Sequence, residues 1–161
     1  MEEKKITIRR AVASDLDGVN YLLRQVLMVH HNGRPDLFKA NVKKYTDEEL
    51  LEIFKDDKRP IFVGVDENNQ VMGYAFCVYQ QELNHNVLTD VKTLYIDDIC
   101  VDENARGMHV GKQIYEYVID FAKKNDFYNV TLNVWNCNPP AMKFYESMGF
   151  VPYKVGMEVV L

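Results

Sequence analysis

Apolar and polar positions along the chain follow two periods, and the switches between them mark the elements. Residues 5–10 (Lys-Ile-Thr-Ile-Arg-Arg) alternate in steps of two and predict a half-buried strand. Leu16, Val19, Leu22, Leu23, Val26 and Leu27 recur at helical spacing behind Ser14-x-x-Asp17, read as a capping box; Gly33 and Pro35 end that helix. A second box, Thr46-x-x-Glu49, opens a helix through Leu50, Leu51 and Phe54. Ile61–Val65 reads as a strand, Glu67–Gln70 as a turn and Val71–Tyr79 as a longer strand carrying Gly73. Residues 80–90 are polar and read as a loop or ragged strand extension. From Tyr95 to Val101, β-branched and aromatic residues surround two carboxylates in a further strand. Val110, Ile114, Tyr117, Val118 and Phe121 then line one face of a helix reaching about Asn125. A strand over Asn129–Trp135, a helix over Pro139–Met148 and strands at Phe150–Tyr153 and Met157–Leu161 complete the pattern. The order β-α-α-β-β-β-α-β-α-β-β predicts an α/β (α+β) fold with a single mixed sheet flanked by helices.

Composition narrows the function classes. At 161 residues the chain suits one domain, residues 1–161, with a core large enough to need no disulfide. No apolar run approaches the ~20 residues of a bilayer span, and Met-Glu-Glu-Lys-Lys carries no apolar signal core, so the expectation is a cytoplasmic protein without a membrane role. Cysteines 77, 100 and 137 are scattered without metal-ligand spacing, and they read as small buried hydrophobes rather than ligands. A net charge of −5 with no basic stripe argues against nucleic acid.

The chemistry gathers where the Tyr95–Val101 strand runs through Arg106-Gly107-Met108-His109-Val110-Gly111-Lys112 into a helix. The first N–H groups of a helix lack partners and its dipole places roughly half a positive charge there. Glycine admits a close backbone approach and Arg106 adds a cation, so the segment predicts a phosphate-bearing ligand. It is not a P-loop, because only three residues separate Gly107 from Gly111 and Gln113 stands where a magnesium-binding hydroxyl belongs. Nor does it hold the G-x-G-x-x-G of a dinucleotide site.

The same segment resembles the acetyl-CoA loop of the GNAT superfamily of N-acyltransferases, Arg/Gln-x-x-Gly-x-Gly/Ala. Arg106 and Gly111 match its ends, while His109 replaces the usual middle glycine. Asn138-Pro-Pro-Ala141-Met-Lys-Phe-Tyr145-Glu-Ser-Met-Gly149-Phe150 is similar to that family's C-terminal signature, Asn-x-x-Ala-x-x-(apolar)-Tyr-x-x-x-Gly-Phe. The resemblance covers roughly residues 60 to 155. It implies that the organising strand and the strand after it are parallel neighbours that splay apart to hold the pantetheine arm of acetyl-CoA. It further implies that main-chain groups at Ile99 and Val101 pair with that arm, that residues 106–112 hold the pyrophosphate, and that Asn138 lies near the cofactor as well as capping the helix at Pro139 and Pro140.

Acetyl transfer to an amine requires a deprotonated nucleophile, a polarised carbonyl and a proton for the departing thiolate. By the resemblance, Tyr145 is the donor; the plainer reading is a ring packed on the core. Asp97 and Asp98 are candidates for receiving the ammonium or its proton. On a regular strand only one of them faces the cleft, and Asp98 is preferred. His30, His31, Arg34, Asp36 and Glu82 lie in segments the family uses for the acceptor. His30 and His31 also suit a helix end, where a cation is favourable. The expectation is therefore an acetyl-CoA-dependent N-acetyltransferase acting on a primary amine, first that of a small molecule, second a peptide or protein N-terminus. A non-catalytic acyl-CoA-binding module is the alternative from another class. A homodimer is compatible with this reading, and no metal enters it.

Overall fold

The computed structural model describes residues 5–105 and 107–161. Five strands, β1 (Thr7–Arg10), β2 (Ile61–Val65), β3 (Val71–Gln80), β4 (Thr93–Val101) and β5 (Asn129–Leu132), lie in chain order across a single mixed sheet. The first four are antiparallel neighbours. β5 pairs parallel to β4, and the connection that such a pair requires is the helix α3 (Val110–Lys124). Helices α1 (Leu16–Gly33) and α2 (Asp47–Phe54) lie between β1 and β2 in the chain, and α4 (Pro139–Ser147) follows β5.

Strand alternation builds two cores, one on each face. Ile61, Val63, Val65, Tyr74 and Phe76 pack with Val19 and Leu22 of α1 and with Leu50 of α2. Their neighbours Phe62, Ala75 and Cys77 point the other way, onto Val110, Ile114 and Val118 of α3. Of the α3 stripe expected from the sequence, Val110, Ile114 and Val118 are buried and Phe121 partly so, while Tyr117 is exposed. Ile114 is fully buried, and its Cδ1 sits 2.8 Å from where a Cβ on Gly73 would lie, so a side chain there would displace it.

β4 breaks the alternation once. Leu94 and Ile96 face α3, yet so do Ile99 and Val101, while Cys100 joins the α1–α2 core. Between the pairs Phe76↔Asp98 and Cys77↔Ile96 the register slips, leaving Asp97 as the extra residue of a β-bulge. β5 accompanies β4 only from Thr93↔Asn129 to Ile96↔Leu132; beyond that point β4 continues without it. The parallel pair thus separates at the bulge; the family resemblance implies the separation, while the bulge was not expected.

Several expectations need correction. α1 is not opened by a Ser14–Asp17 box. A short 3-10 turn, Ala13–Asp15, precedes it, because the Asp15 carboxylate accepts from both Arg9 guanidinium nitrogens (2.7 and 3.0 Å) and from the Val12 N–H (2.9 Å). The Thr46–Glu49 box does form, with reciprocal bonds of 3.1 and 3.3 Å. Neither Phe150–Tyr153 nor Met157–Leu161 is a strand, and β5 ends at Leu132 rather than Trp135. Instead of pairing with the outer edge of β5, the tail is held at the end of α1, where Glu158 pairs with Arg34. Among the cysteines, Cys77 is buried, Cys100 half-buried and Cys137 exposed, so burial holds for one and in part for a second. Among the described residues no helix is long and apolar enough to cross a membrane, and no cluster of His, Cys, Asp and Glu could hold a metal.

Ile114→Ala removes a fully buried side chain that β2, β3 and α3 share, and should cost about 2–5 kcal/mol of unfolding free energy in denaturant titration. Val87→Ala, at a position 84% exposed, should leave the midpoint unchanged within about 0.5 kcal/mol.

Candidate active site

The bulge decides what the two adjacent aspartates do. By shifting the alternation it turns Asp98 and Cys100 toward the α1–α2 face, where Tyr74 of β3 stands. The Tyr74 hydroxyl donates to Asp98 Oδ2 at 2.8 Å. Asp97 is more exposed, but the ammonium of Lys44 reaches both carboxylates, 3.5 Å from Asp97 Oδ2 and 4.0 Å from Asp98 Oδ2. A regular strand would offer only one of the pair to such a cation; the bulge presents both.

Burial pushes the Asp98 carboxyl up to about 6, against the opposing pull of Lys44 and the Tyr74 hydrogen bond, with Asp97 adding a smaller push in the same direction. Burial works against the charge on Lys44, but Asp98, Tyr45 and Asp97 outweigh it and raise its pKa. The Tyr145 hydroxyl is also raised, by burial first and then by the negative Asp98 and by Cys100. Tyr145 of α4 and Asp98 of β4 are therefore electrostatic neighbours in a desolvated setting. The ring of Tyr145 meets Phe144 and Phe150, so the packing role stands beside any chemical one.

The segment leading into α3 has the form expected of a helix start. Gly107 has φ +87° with open space where a Cβ would be, and Val110 begins the helix. The Gln113 N–H is the first to bond back, to the His109 carbonyl at 3.1 Å, so the N–H groups ahead of it lack partners within the helix. His109 is exposed and its backbone is left-handed at φ +57°, a conformation that glycine adopts without steric cost. Gly111 answers to packing as well. A Cβ there would come within 3.3 Å of Phe144 and of Val101, so glycine lets α3 lie close to α4 and β4. Met108 packs on the α3-side core, and Lys112 is exposed beside Glu116 at 3.8 Å. Arg106 lies outside the described residues. Ile99 and Val101 pair with Ala75 and Gly73 of β3 on one edge of β4, while their other edge faces the gap left by β5. Asn138 accepts from the Ala141 N–H at 3.4 Å and caps α4, whose first turn holds Pro139 and Pro140.

The acceptor-side candidates scatter. His30 stacks on Phe38 with centroids 5.0 Å apart, and burial, then the Lys44 charge, lowers its pKa. The His31 ring nitrogen Nδ1 lies 2.7 Å from the Phe38 carbonyl. Arg34 bridges Asp36 (2.7 Å) and Glu158 (2.5 Å) on the surface, so Asp36 is engaged there. Glu82 is exposed on the loop after β3, at the hairpin end where Gln80 pairs with Thr93, away from Asp98. Sequence reading missed Lys44, Tyr74 and Cys100. Cys100 carries a signal in hindsight, since it is two residues from Asp98 on the same strand. Lys44 carries none, lying on a loop far off in the chain.

A mixed sheet whose parallel pair opens beside a helix start is the fold of acetyltransferases. The Acetyltransferase (GNAT) family model matches residues 28–150, and the chain belongs to that family. It is 25% identical over 151 residues to a protein from Drosophila melanogaster described as a probable glucosamine 6-phosphate N-acetyltransferase, covering 92% of this chain and 62% of that one. It is 24% identical over 143 residues to the mycothiol acetyltransferase of Renibacterium salmoninarum, covering 88% and 39%. The chain thus spans less than two thirds of the length of these curated relatives. Among solved structures, a mutant of the BH1408 protein from Bacillus halodurans superposes with a TM-score of 0.92 at 31% identity, over 96% of this chain and 99% of that one.

The elevated Asp98 pKa has a stability consequence. With a folded value of about 6 against an ordinary 3.8, the native state holds this proton more tightly than the unfolded chain does. The resulting stabilisation is full below pH ~4 and is lost as pH rises through ~6, on the order of 3 kcal/mol in all. Asp98→Asn, which cannot ionise, should raise the melting temperature at pH 7 relative to wild type and do so less at pH 4; thermal scans at the two pH values check the sign.

Proposed function

We propose that the chain transfers the acetyl group of acetyl-CoA to the primary amine of a small molecule, by direct attack in a ternary complex. The observation that carries this reading is the Lys44 ammonium reaching both Asp97 and Asp98, with the half-buried Tyr145 hydroxyl within the electrostatic reach of Asp98. A seat that already holds an alkylammonium is chemically suited to the ammonium of an acceptor, which would enter by displacing Lys44. The curated relatives named above are described as acetyltransferases of an amino sugar phosphate and of mycothiol, which favours a small-molecule acceptor.

Acetyl-CoA supplies the thioester carbonyl and a thiolate leaving group. The unpaired edge of β4 at Ile99 and Val101 suits its amide-bearing arm, and the start of α3 at Val110–Lys112 suits its phosphates. Asp98 takes the proton of the bound ammonium. An ordinary carboxylate lies about six pH units below an alkylammonium near ~10; burial of Asp98 brings the gap to about four, and contact with the acceptor's own charge orients the lone pair. As the amine nitrogen bonds to the carbonyl carbon and the carbon–sulfur bond breaks, Tyr145 gives its proton to the sulfur, and the second proton that the nitrogen sheds as the amide forms restores the Tyr145 phenol. The raised pKa of its phenol keeps it protonated throughout the working pH range. The desolvation that weakens it as an acid would likewise raise the proton affinity of a thiolate placed beside it.

A thiol-release assay over a panel of amino sugars, polyamines, aminoglycosides and short peptides tests the reaction. Release with a small-molecule amine supports it, and release with peptides alone moves the assignment to a chain terminus. Acetyl-CoA in hundredfold excess over its dissociation constant should add about 2.7 kcal/mol to native stability; absence of any melting shift together with no thiol release would sink the proposal.

Tyr145→Phe separates proton donation from packing. Turnover at saturating acetyl-CoA should fall roughly 10²–10⁴-fold with little change in apparent affinity, whereas a ring that only packs would leave the rate within about twofold.

A further inference from the structure

The seat proposed for the acceptor's ammonium is already filled by a primary amine of this chain. Lys44 Nζ lies 3.5 Å from Asp97 Oδ2 and 4.0 Å from Asp98 Oδ2. The other ion-paired lysines among the described residues, Lys43, Lys55, Lys112 and Lys124, each face one carboxylate. Nor is Lys44 locked in place. Its side chain is 41% exposed, and ion pairs at that exposure hold a long, flexible side chain weakly. It also stands on the connection between α1 and α2, outside any helix or strand.

A lysine so placed differs from an acceptor amine chiefly in being tethered. The edge of β4 that faces β5 is free beyond Ile96, where the last parallel pair falls. In the proposed reaction the arm of acetyl-CoA runs from the start of α3 along Val101 and Ile99, so its thioester end arrives at the bulge that Lys44 touches. Tethering removes the need to capture a second molecule, and a well-oriented intramolecular reactant can reach an effective concentration of roughly 10⁵–10⁸ M. Against this stands its proton. Burial opposes the Lys44 charge, but Asp98, Tyr45 and Asp97 outweigh it, so the free amine is scarce at neutral pH and the transfer is slow.

Given the proposed acetyl transfer, on which the step depends, we infer that Lys44 is an acetylation site of the chain itself: when acetyl-CoA is present and no acceptor fills the seat, the acetyl group passes to Lys44 Nζ. Asp98 takes one proton from the ammonium and releases it to water. The Lys44 nitrogen bonds to the carbonyl carbon as the carbon–sulfur bond breaks. Tyr145 protonates the sulfur, and the second proton shed by the nitrogen restores the phenol. The products are N-acetyl-lysine at position 44, free CoA and one proton. An acceptor that fills the seat displaces Lys44 and protects it, so the modification records acetyl-CoA in the absence of acceptor.

Incubation of the full chain with acetyl-CoA and no added amine, followed by peptide mass spectrometry, reads the acetyl gained at each lysine. Lys44 should gain an acetyl group at least about tenfold faster than the exposed Lys55 and Lys124, which report collisional acetylation. The Lys44 rate should saturate as acetyl-CoA rises, fall when free CoA competes, and stay unchanged when the protein is diluted. A Lys44 rate no greater than that of Lys55 and Lys124 overturns the inference. So does a rate that climbs linearly with acetyl-CoA, or one that falls on dilution of the protein. Self-acetylation releases one thiol per chain at most, which separates it from turnover of a free acceptor. Repeated thiol release with an amine but no gain at Lys44 overturns the self-acetylation alone. Gain at Lys44, with no amine raising thiol release beyond one per chain, leaves it standing and removes the small-molecule acceptor.

Discussion

The extra residue at Asp97 reverses which side chains of β4 face which helices. Before it, Leu94 and Ile96 look toward α3; after it, Asp98 and Cys100 look toward α1 and α2. Three features depend on that reversal. Asp98 is buried against Tyr74 rather than left in the α3 core, two carboxylates instead of one reach Lys44, and β5 parts from β4 at the same level. Without the bulge, Asp98 would fall among apolar side chains with no hydroxyl to satisfy it, at a cost of several kcal/mol for an unpaired charge. The bulge is thus how this strand carries a charge into a two-sided core.

Two opposed demands meet at Asp98. Burial disfavours its charge, while Lys44 and Tyr74 favour it, and the balance comes out near 6. A carboxylate buried without partners would remain protonated at neutral pH; one paired at the surface would be too weak a base to relieve an ammonium of its proton. The desolvation comes from the surrounding core, including Tyr74 and its edge contact with Phe76, and so the proton affinity of one side chain rests on hydrophobic packing around it.

Much of this was legible in the sequence, for identifiable reasons. β2 and β3 sort cleanly by period two and α3 by its stripe, because each is covered by the element its pattern faces. The Gly107–Gly111 and Asn138–Phe150 stretches are local, so they fall at the start of α3 and on and after α4. The bulge was visible in principle: apolar residues fall on even numbers at 94 and 96 and on odd numbers at 99 and 101. Lys44 was not visible, since its place beside β4 depends on how the α1–α2 connection folds back over the sheet. The strands expected after α4 failed for a related reason. Period two reports a tendency to pair, and here the tail is tied to the end of α1 through Glu158 and Arg34 rather than to a sheet edge.

The α1–α2 connection also separates two kinds of evolutionary freedom. Asp98, Tyr74 and Cys100 sit on paired strands, where a change of register or size disturbs both cores. Lys44 and Tyr45 sit on a connection held by the Thr46 cap that follows, by Tyr45 stacked on Phe76, and by Phe38 against His30 and Trp135. Insertions and substitutions there are tolerated far better than in the sheet. Under the proposed reaction, a lineage could therefore exchange one acceptor for another by rewriting this connection, with the proposed proton chemistry inherited unaltered.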